Sequence, residues 1–191
     1  RKIFIPITVG GGIRSVQDAQ CLFEAGADKI AINTAAISNP TLLGQLSKRF
    51  GAQAIVLSIQ AKKSPNDSNS WVAMTDNGRE NSQISVQEWV LQAQQIGIGE
   101  ILITSIDQEG TGEGYDLPLL SSIISLVKCP VLASGGFENS VDAIKAFKTG
   151  SQAAVVAQSL HYDKLTIMQI KKDLFDASIP TRQINSSPSV A

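Results

Sequence analysis

The sequence predicts an α/β fold in which parallel strands alternate with helices. Short β-branched runs recur along the chain, and each is followed by a loop with Gly or Asn and then by an amphipathic helical stretch. The predicted strands cover residues 3–9, 29–33, 54–60, 100–105, 131–134 and 153–157. An internal repeat then decides between the possible α/β architectures.

The repeat joins two distant βα pairs at one constant offset. Its first copy contains Gly11-Gly12, Asp18, Phe23 and Gly26, and its second contains Gly135-Gly136, Asp142, Phe147 and Gly150. Duplicated units with short loops favour a (β/α)8 barrel of the TIM type over a doubly wound sheet. Such a barrel takes about 250 residues. We therefore expect six of its eight βα units here, the first two missing, in one incomplete barrel domain over residues 1–182.

Capping residues and glycines mark the predicted helix ends. The predicted N-terminal caps are Ser15 with Asp18, Ser85 with Glu88, and Asn39 ahead of Pro40, and the predicted stops are Gly26, Gly51, Gly97 and Gly150. The run Asp76-Asn77-Gly78 predicts a small hairpin within the polar stretch after residue 60. The Ser-rich residues 183–191 are expected to form a disordered tail.

Composition restricts the classes of function. The 191 residues carry a net charge of −1, so no field of one sign is available to attract nucleic acid or an anionic membrane. Cys21 and Cys129 lie far apart and form no CxxC or Cys/His cluster, which argues against a zinc site and a disulfide scaffold. No cofactor is expected, a reducing cytoplasm fits best, and no apolar run is long enough to span a membrane.

Two glycine-rich turns predict binding of phosphate groups. Gly11 and Gly12 end a strand and precede a helix, where backbone N–H groups can approach an anion, and Asn33-Thr34 end the next strand. The repeat supplies a second copy in Gly135-Gly136, next to Ala157-Gln158. Two such turns on opposite sides of the barrel mouth predict a long ligand with a phosphate at each end. The alternative is that each is only a tight βα turn.

Acid, amide and hydroxyl side chains follow the strands between these turns. Glu109 is the preferred acid/base candidate, whereas Asp107 more readily caps a turn, and the alternative for Glu109 is a solvated carboxylate. Gln60 can hold water or substrate but cannot shuttle a proton. Thr104 and Ser134, near the same strand ends, complete the predicted catalytic set.

Charged residues begin two of the predicted strands at the opposite face of the barrel. Lys29 and Glu100 occupy these positions. Charged residues at strand starts usually form a solvated rim of the barrel. The alternative is a charged ring that guards an opening into the barrel.

Three segments carry a resemblance to a known family. The segments TVGGGIRSVQDAQCLFEAGADKIAINTAA, GEILITSIDQEGTGEGYDLPLL and ASGGFENSVDAIKAF resemble the cyclase subunit of imidazole glycerol phosphate synthase, the HisF family of histidine biosynthesis. The resemblance extends over about residues 5–182. It implies a TIM barrel that binds a ribulosyl-formimino carboxamide ribonucleotide with two phosphates. Ammonia from a glutamine amidotransferase subunit is added, and imidazole glycerol phosphate and an aminoimidazole carboxamide ribotide are released.

The resemblance also assigns residues. It matches Gly12, Asn33 and Thr34 to one phosphate site, Gly110, Gly136, Ala157 and Gln158 to the other, and Lys29 and Glu100 to a gate for ammonia. Three positions depart from the family pattern, because Glu109 and Gln60 stand for aspartates and Gln158 stands for a serine. The family's general base belongs to the first strand, which would precede residue 1. From the residues given, we expect weak bisphosphate binding and impaired catalysis.

Two other functions are compatible with the same sequence. Cyclase-like proteins that relay ammonia to an amidotransferase of surface-polysaccharide synthesis have a similar sequence, and Gln60, Glu109 and Gln158 would suit that role. The second alternative is a non-catalytic barrel fragment. Open strand edges at residues 3–9 and 153–157 predict a homo-oligomer or domain-swapped dimer in either case.

Overall fold

Eight strands and eight α-helices are present in the described part of the chain. The structure, a computed structural model, describes residues 5–65, 67 and 69–182. The strands are β1 (Thr8–Gly10), β2 (Lys29–Ile32), β3 (Ile55–Lys63), β4 (Trp71–Thr75), β5 (Glu80–Ser85), β6 (Glu100–Ser105), β7 (Val131–Ser134) and β8 (Ala153–Ala154). The helices are α1 (Val16–Glu24), α2 (Thr34–Ser38), α3 (Thr41–Phe50), α4 (Val86–Ile96), α5 (Leu117–Ile124), α6 (Ser140–Thr149), α7 (Gln158–His161) and α8 (Ile167–Asp176).

Six of these strands form a parallel sheet in the order β1-β2-β3-β6-β7-β8. The predicted α/β fold, an incomplete barrel of the TIM type with six parallel strands among the described residues, is confirmed. Strands β4 and β5 form the hairpin predicted around Asp76-Asn77-Gly78. This hairpin joins the sheet because β4 pairs antiparallel with the end of β3, from Gln60 to Lys63.

The two faces of the parallel sheet differ in burial. Side chains on the face under the helices are fully buried and apolar: Ile30, Ile55, Leu57, Ile59, Ile101, Ile103, Val131 and Ala133. Side chains on the other, concave face are half-buried: Lys29, Ala31, Ser58, Gln60, Glu100, Leu102, Thr104, Leu132 and Ser134. The candidate functional residues of the strands therefore share the concave face, because successive side chains of a strand point to opposite sides.

Equivalent hydrogen bonds confirm the internal repeat. The backbone N–H of Ile7 donates to Asp28 Oδ2 at 2.7 Å, and that of Val131 donates to Gln152 Oε1 at 2.7 Å. Each bond joins the start of one strand to the start of the next strand in the same copy of the repeat. The sequence change from Asp28 to Gln152 keeps the acceptor oxygen, and so it keeps the local geometry.

Two of the three predicted caps are confirmed. Ser15 Oγ accepts the backbone N–H of Asp18 at 3.1 Å, and Ser85 Oγ accepts that of Glu88 at 3.5 Å. The prediction of Asn39 as a cap is wrong, since α3 begins one residue later with Pro40 at its N-cap. The reason is that Asn39 Oδ1 accepts the hydroxyl of Thr41 instead of a helix N–H.

Several predicted strand bounds change. The first strand, predicted over residues 3–9, covers only Thr8–Gly10 among the described residues, and the last covers Ala153–Ala154 rather than residues 153–157. After β8, Val155 N–H still donates to Ala133 O at 2.8 Å before the chain turns into α7. The third strand is longer than predicted, because the hairpin extends its ladder to Lys63. The tail predicted over residues 183–191 lies outside the described residues.

Three further properties concern the described residues alone. None of the helices there combines the length and apolar character that crossing a membrane requires. No group of three or more His, Cys, Asp or Glu side chains in that part of the chain could hold a metal ion. Both cysteines are free thiols, with Cys21 exposed and Cys129 half-buried.

Candidate functional site

Three predicted catalytic residues lie side by side at the carboxyl edge of the sheet. Gln60 pairs in register with Thr104, and Thr104 pairs with Ser134. Residues paired in this way on parallel strands point to the same face, which here is the concave one. The fold thus aligns an amide and two hydroxyl groups in one row, although they are far apart in sequence.

The first glycine-rich turn opens into a cavity of about 880 Å³ beside this row. Gly11, Gly12, Asn33, Thr34 and Gln60 all line it. Both glycines have φ values, +101° and +72°, that a side chain rarely adopts. A Cβ at either position would meet no atom within 4 Å, so the space above the turn is open. The N–H groups of these glycines donate to no acceptor within the described part of the chain.

The start of α1 beside this turn is held in place by Asp18. The N–H of Arg14 donates to Asp18 Oδ2 at 2.9 Å, while Ser15 caps the helix. The Arg14 N–H bond, followed by the Ser15 hydroxyl, lowers the pKa of Asp18. The Asp18 carboxylate is thus fixed on the helix side of the turn.

The second glycine-rich turn is packed much more closely. Gly136 O accepts the N–H of Gly114 at 2.8 Å, and a Cβ on Gly136 would lie 2.1 Å from Gly114 O. A Cβ on Gly135 would lie 2.7 Å from Ser105 O. The loop between β6 and α5 therefore covers this turn. As at the first turn, the N–H groups of Gly135 and Gly136 have no acceptor among the described residues.

The remaining residues predicted for the second phosphate belong to the covering loop and to the start of α7. Gly110 belongs to the covering loop and is exposed with φ +77°. Ala157 is the N-cap of the four-residue helix α7, which Gln158 begins. The next residue, Ser159, ties α7 to the start of α6, because its hydroxyl donates to Glu138 O at 2.9 Å.

The two carboxylates after β6 have different surroundings. Asp107 Oδ2 accepts the N–H of Lys63, the last residue of β3, at 2.7 Å, so this carboxylate joins the loop after β6 to β3. Glu109 is exposed, and its Oε2 lies 3.2 Å from the position of a Cβ on Gly135. The Glu109 carboxyl group is therefore the one that faces the turn after Ser134.

The hairpin contributes to the first cavity, which the sequence analysis did not predict. Asn33 Nδ2 donates to Gln60 Oε1 at 3.2 Å and to Met74 O at 3.0 Å, while Asn33 Oδ1 is buried and has no partner among the described residues. Because Gln60 Oε1 is an acceptor here, the Gln60 Nε2 group is left as a donor for the cavity. Asp76 and Asn77 at the hairpin tip line the same cavity. In the sequence, the Asp76-Asn77-Gly78 turn indicates the hairpin but not its place in the cavity wall.

The base of the hairpin is anchored to the sheet and to α5 through Asp116. Trp71 Nε1 donates to Asp116 Oδ2 at 3.1 Å, and the Ser105 hydroxyl donates to the same oxygen at 3.4 Å. Asp116 Oδ1 also caps α5 by accepting the N–H of Leu119 at 3.0 Å. One carboxylate thus joins three elements.

At the amino ends of the strands, Lys29 Nζ and Glu100 Oε1 form an ion pair. Both side chains are half-buried on the concave face, at the first residues of β2 and β6. They line a depression of about 710 Å³ together with Phe23 and Phe50. Burial, and to a smaller degree the Glu100 carboxylate, raises the pKa of the nearby Cys129 thiol. The Lys29 and Glu100 side chains thus bond to each other.

Comparison with known proteins decides the family. The sequence matches the family described as "Histidine biosynthesis protein" over residues 1–166. It is 57% identical over 135 residues to "Imidazole glycerol phosphate synthase subunit HisF" of Legionella pneumophila, a match that covers 71% of this chain and 63% of that protein. It is 44% identical over 185 residues to the HisF subunit of Lactococcus lactis subsp. cremoris (strain SK11), covering 96% of this chain and 71% of the relative. The chain belongs to the HisF family.

A third relative gives the same result. The HisF subunit of Nocardia farcinica is 41% identical over 185 residues, covering 95% of this chain and 72% of its own length. The chain therefore spans between 63% and 72% of these HisF proteins. The resemblance inferred from the three sequence segments is confirmed.

Proposed function

We propose that this chain acts as the cyclase subunit of imidazole glycerol phosphate synthase in histidine biosynthesis. Its ligand is a bisphosphorylated ribonucleotide bound on the concave face. The observation that carries the proposal is the first cavity, where the open Gly11-Gly12 turn, Thr34 and Gln60 meet at the carboxyl ends of the strands. Ligands of parallel barrels bind at this end.

In this proposal, each predicted residue has a separate task. The unpaired N–H groups of Gly11 and Gly12 bind one phosphate, and those of Gly135 and Gly136, with Gly110 and the start of α7, bind the other. Glu109 is the acid/base group, since its carboxyl faces the turn after Ser134. Gln60, Thr104 and Ser134 orient the part of the ligand between the phosphates.

In this proposal, ammonia enters at the amino ends of the strands, away from the phosphate sites. A glutamine amidotransferase subunit, the expected partner, docks around the depression beside Lys29 and Glu100. The Lys29–Glu100 ion pair must separate for ammonia to pass, because both side chains lie on the concave face of the sheet at the amino ends of the strands. A cytoplasmic location is part of the same proposal, since histidine biosynthesis consumes soluble metabolites.

Titration with inorganic phosphate tests the binding site. We expect the amide resonances of Gly11 and Gly12 to shift in NMR spectra of the labelled protein, and Gly12→Ala to weaken binding because its Cβ enters the open space. Gly26→Ala is the matched control, as Gly26 also has a positive φ, +103°, and open space but lies beyond the other end of α1. Equal loss of phosphate binding in both variants would contradict the assignment.

Turnover of the bisphosphorylated substrate with ammonium salts tests the acid/base role. A positioned acid or base contributes roughly 10²–10⁴-fold, so Glu109→Gln should lower the rate on that scale from the impaired level expected for the chain itself. Glu113→Gln is the control, because Glu113 is an exposed carboxylate in the same loop. A similar rate for both variants would remove Glu109 from the mechanism.

A second candidate is ammonia relay to another amidotransferase without turnover of a bisphosphate. It is favoured by Gln60, whose amide is held by Asn33 and cannot shuttle a proton. Binding of an amidotransferase subunit together with the absence of phosphate binding would select this function. The third possibility, a non-catalytic barrel fragment, predicts neither binding event.

A homo-oligomer or domain-swapped dimer is the last part of the proposal. Light scattering at low micromolar concentration is the test, and a well-folded monomer would contradict this part of the proposal.

A further inference from the structure

The tip of the hairpin is bonded to the residues of the first cavity. Asp76 N–H donates to the hydroxyl of Thr34 at 3.1 Å, and Met74 O accepts from Asn33 Nδ2 at 3.0 Å. These two bonds join consecutive residues after β2 to the end of β4. The hairpin tip is thus part of the cavity wall rather than a remote surface feature.

The tip has a fixed conformation. Asp76, Asn77 and Gly78 all have positive φ values, of 46°, 55° and 82°, and Gly78 N–H donates to Thr75 O at 3.0 Å. Gly78 also packs against Ile106, since a Cβ there would lie 2.8 Å from Ile106 Cδ1. The side chains of Asp76 and Asn77 are therefore presented to the cavity by a rigid turn.

The charges of the cavity wall favour one kind of ligand. Among the described residues that line it, Arg14 and Asp76 are the charged ones. Arg14 follows the glycine turn and attracts a phosphate, whereas the Asp76 carboxylate repels the phosphate of any ligand, free or esterified. Carboxylates accept hydrogen bonds from hydroxyl groups, and the Asn77 amide can donate and accept. The wall therefore combines an anion-binding end with a hydroxyl-binding end.

We infer that the hairpin tip, through Asp76 and Asn77, binds the hydroxyl groups of the sugar or polyol attached to the first phosphate. The cavity then selects sugar phosphates over inorganic phosphate. This inference rests on the proposed function, because it assumes that a phosphate occupies the Gly11-Gly12 turn. It assigns to the hairpin a role in specificity that the glycine turn alone does not have.

The test compares two probes, inorganic phosphate and ribose 5-phosphate, whose dissociation constants are measured by calorimetry and by the amide shift of Gly12. The wild-type protein should prefer ribose 5-phosphate. Asp76→Asn removes the negative charge and keeps a residue that tolerates positive φ. Its affinity for inorganic phosphate should rise a few-fold. The preference for ribose 5-phosphate over inorganic phosphate should fall by roughly tenfold, because only ribose 5-phosphate loses a charge-assisted hydrogen bond.

Glu80→Gln is the matched control, since Glu80 is an exposed carboxylate on the same hairpin. It should leave the selectivity unchanged. Asp76→Gly, which removes the acceptor and also tolerates positive φ, should lower the selectivity at least as far as Asp76→Asn. Unchanged fluorescence of Trp71 at the hairpin base would show that the variants remain folded.

The possible failures can be told apart. If wild-type protein binds inorganic phosphate at Gly12 but shows no preference for ribose 5-phosphate, the hairpin inference is wrong and the proposed phosphate site stands. The same holds if Asp76→Asn changes the affinity for both probes by the same factor. If neither probe shifts the Gly12 resonance, the phosphate assignment is wrong and the inference is overturned with it.

Discussion

Gly12 and Gly136 occupy equivalent positions of the internal repeat, yet alanine should have very different effects at the two. Both residues have positive φ, +72° and +95°, so alanine introduces backbone strain of about 1–2 kcal/mol at either position. At Gly12 nothing else opposes the new Cβ. At Gly136 the Cβ would lie 2.1 Å from Gly114 O and 3.0 Å from Gln108 Cβ, and relief of such an overlap costs about 1–3 kcal/mol more.

Urea unfolding of the two variants measures this difference. We expect Gly136→Ala to lose more free energy of unfolding than Gly12→Ala by at least about 1 kcal/mol. Gly44→Ala is the control, because Gly44 is inside helix α3 with ordinary contacts, and alanine there should stabilise the protein by about 0.5–1 kcal/mol. Equal losses at Gly12 and Gly136 would refute the argument that the β6–α5 loop covers only the second turn.

Three further predictions concern stability and thiol reactivity. Asp116→Ala should lower the free energy of unfolding by about 1–3 kcal/mol, because α5 loses its cap and the Trp71 N–H loses its acceptor. Urea unfolding measures this loss, and a value below about 0.5 kcal/mol would contradict the prediction. Burial raises the pKa of Cys129, so a thiol reagent at mildly alkaline pH should modify the exposed Cys21 first, and Cys21→Ser should abolish the fast phase. The pKa of Asp18 is lowered on folding, so the Asp18 carboxylate stabilises the protein above its ordinary pKa, and this stabilisation is lost as the pH falls. Asp18→Asn should therefore lose less stability on acidification than the wild type. Urea midpoints at neutral and acidic pH measure this difference.

Much of the fold was predictable because its determinants are local or repeated. The offset between Gly11 and Gly135 revealed duplicated βα units, and the caps at Ser15 and Ser85 depend on side chains three residues from their partners. Strand ends were less predictable because pairing decides them. β3 reaches Lys63 only because β4 pairs with it, and β8 ends at Ala154, where the chain turns toward α7.

The candidate site was predictable only in part. Gln60, Thr104 and Ser134 could be expected at one edge, since the carboxyl ends of parallel strands meet there. The role of the hairpin could not, because the bond from Asn33 to Met74 O joins residues whose proximity depends on how the hairpin folds back over β2. A turn motif such as Asp76-Asn77-Gly78 predicts local backbone geometry but not the surface on which the turn lies.

The second residue after each glycine turn distinguishes the two proposed phosphate sites further. Arg14 follows the first turn and forms no ion pair in the described part of the chain, whereas its equivalent, Glu138, forms an ion pair with Lys164 at 2.7 Å. In the proposed function, a dianion at the first turn would meet the Arg14 guanidinium, which also interacts with the Asp18 carboxylate. At the second turn, Glu138 and Lys164 neutralise each other, and the unpaired N–H groups of Gly135 and Gly136 would be the main source of attraction. We therefore expect the charged end of a ligand to bind more tightly at Gly12 than at Gly136.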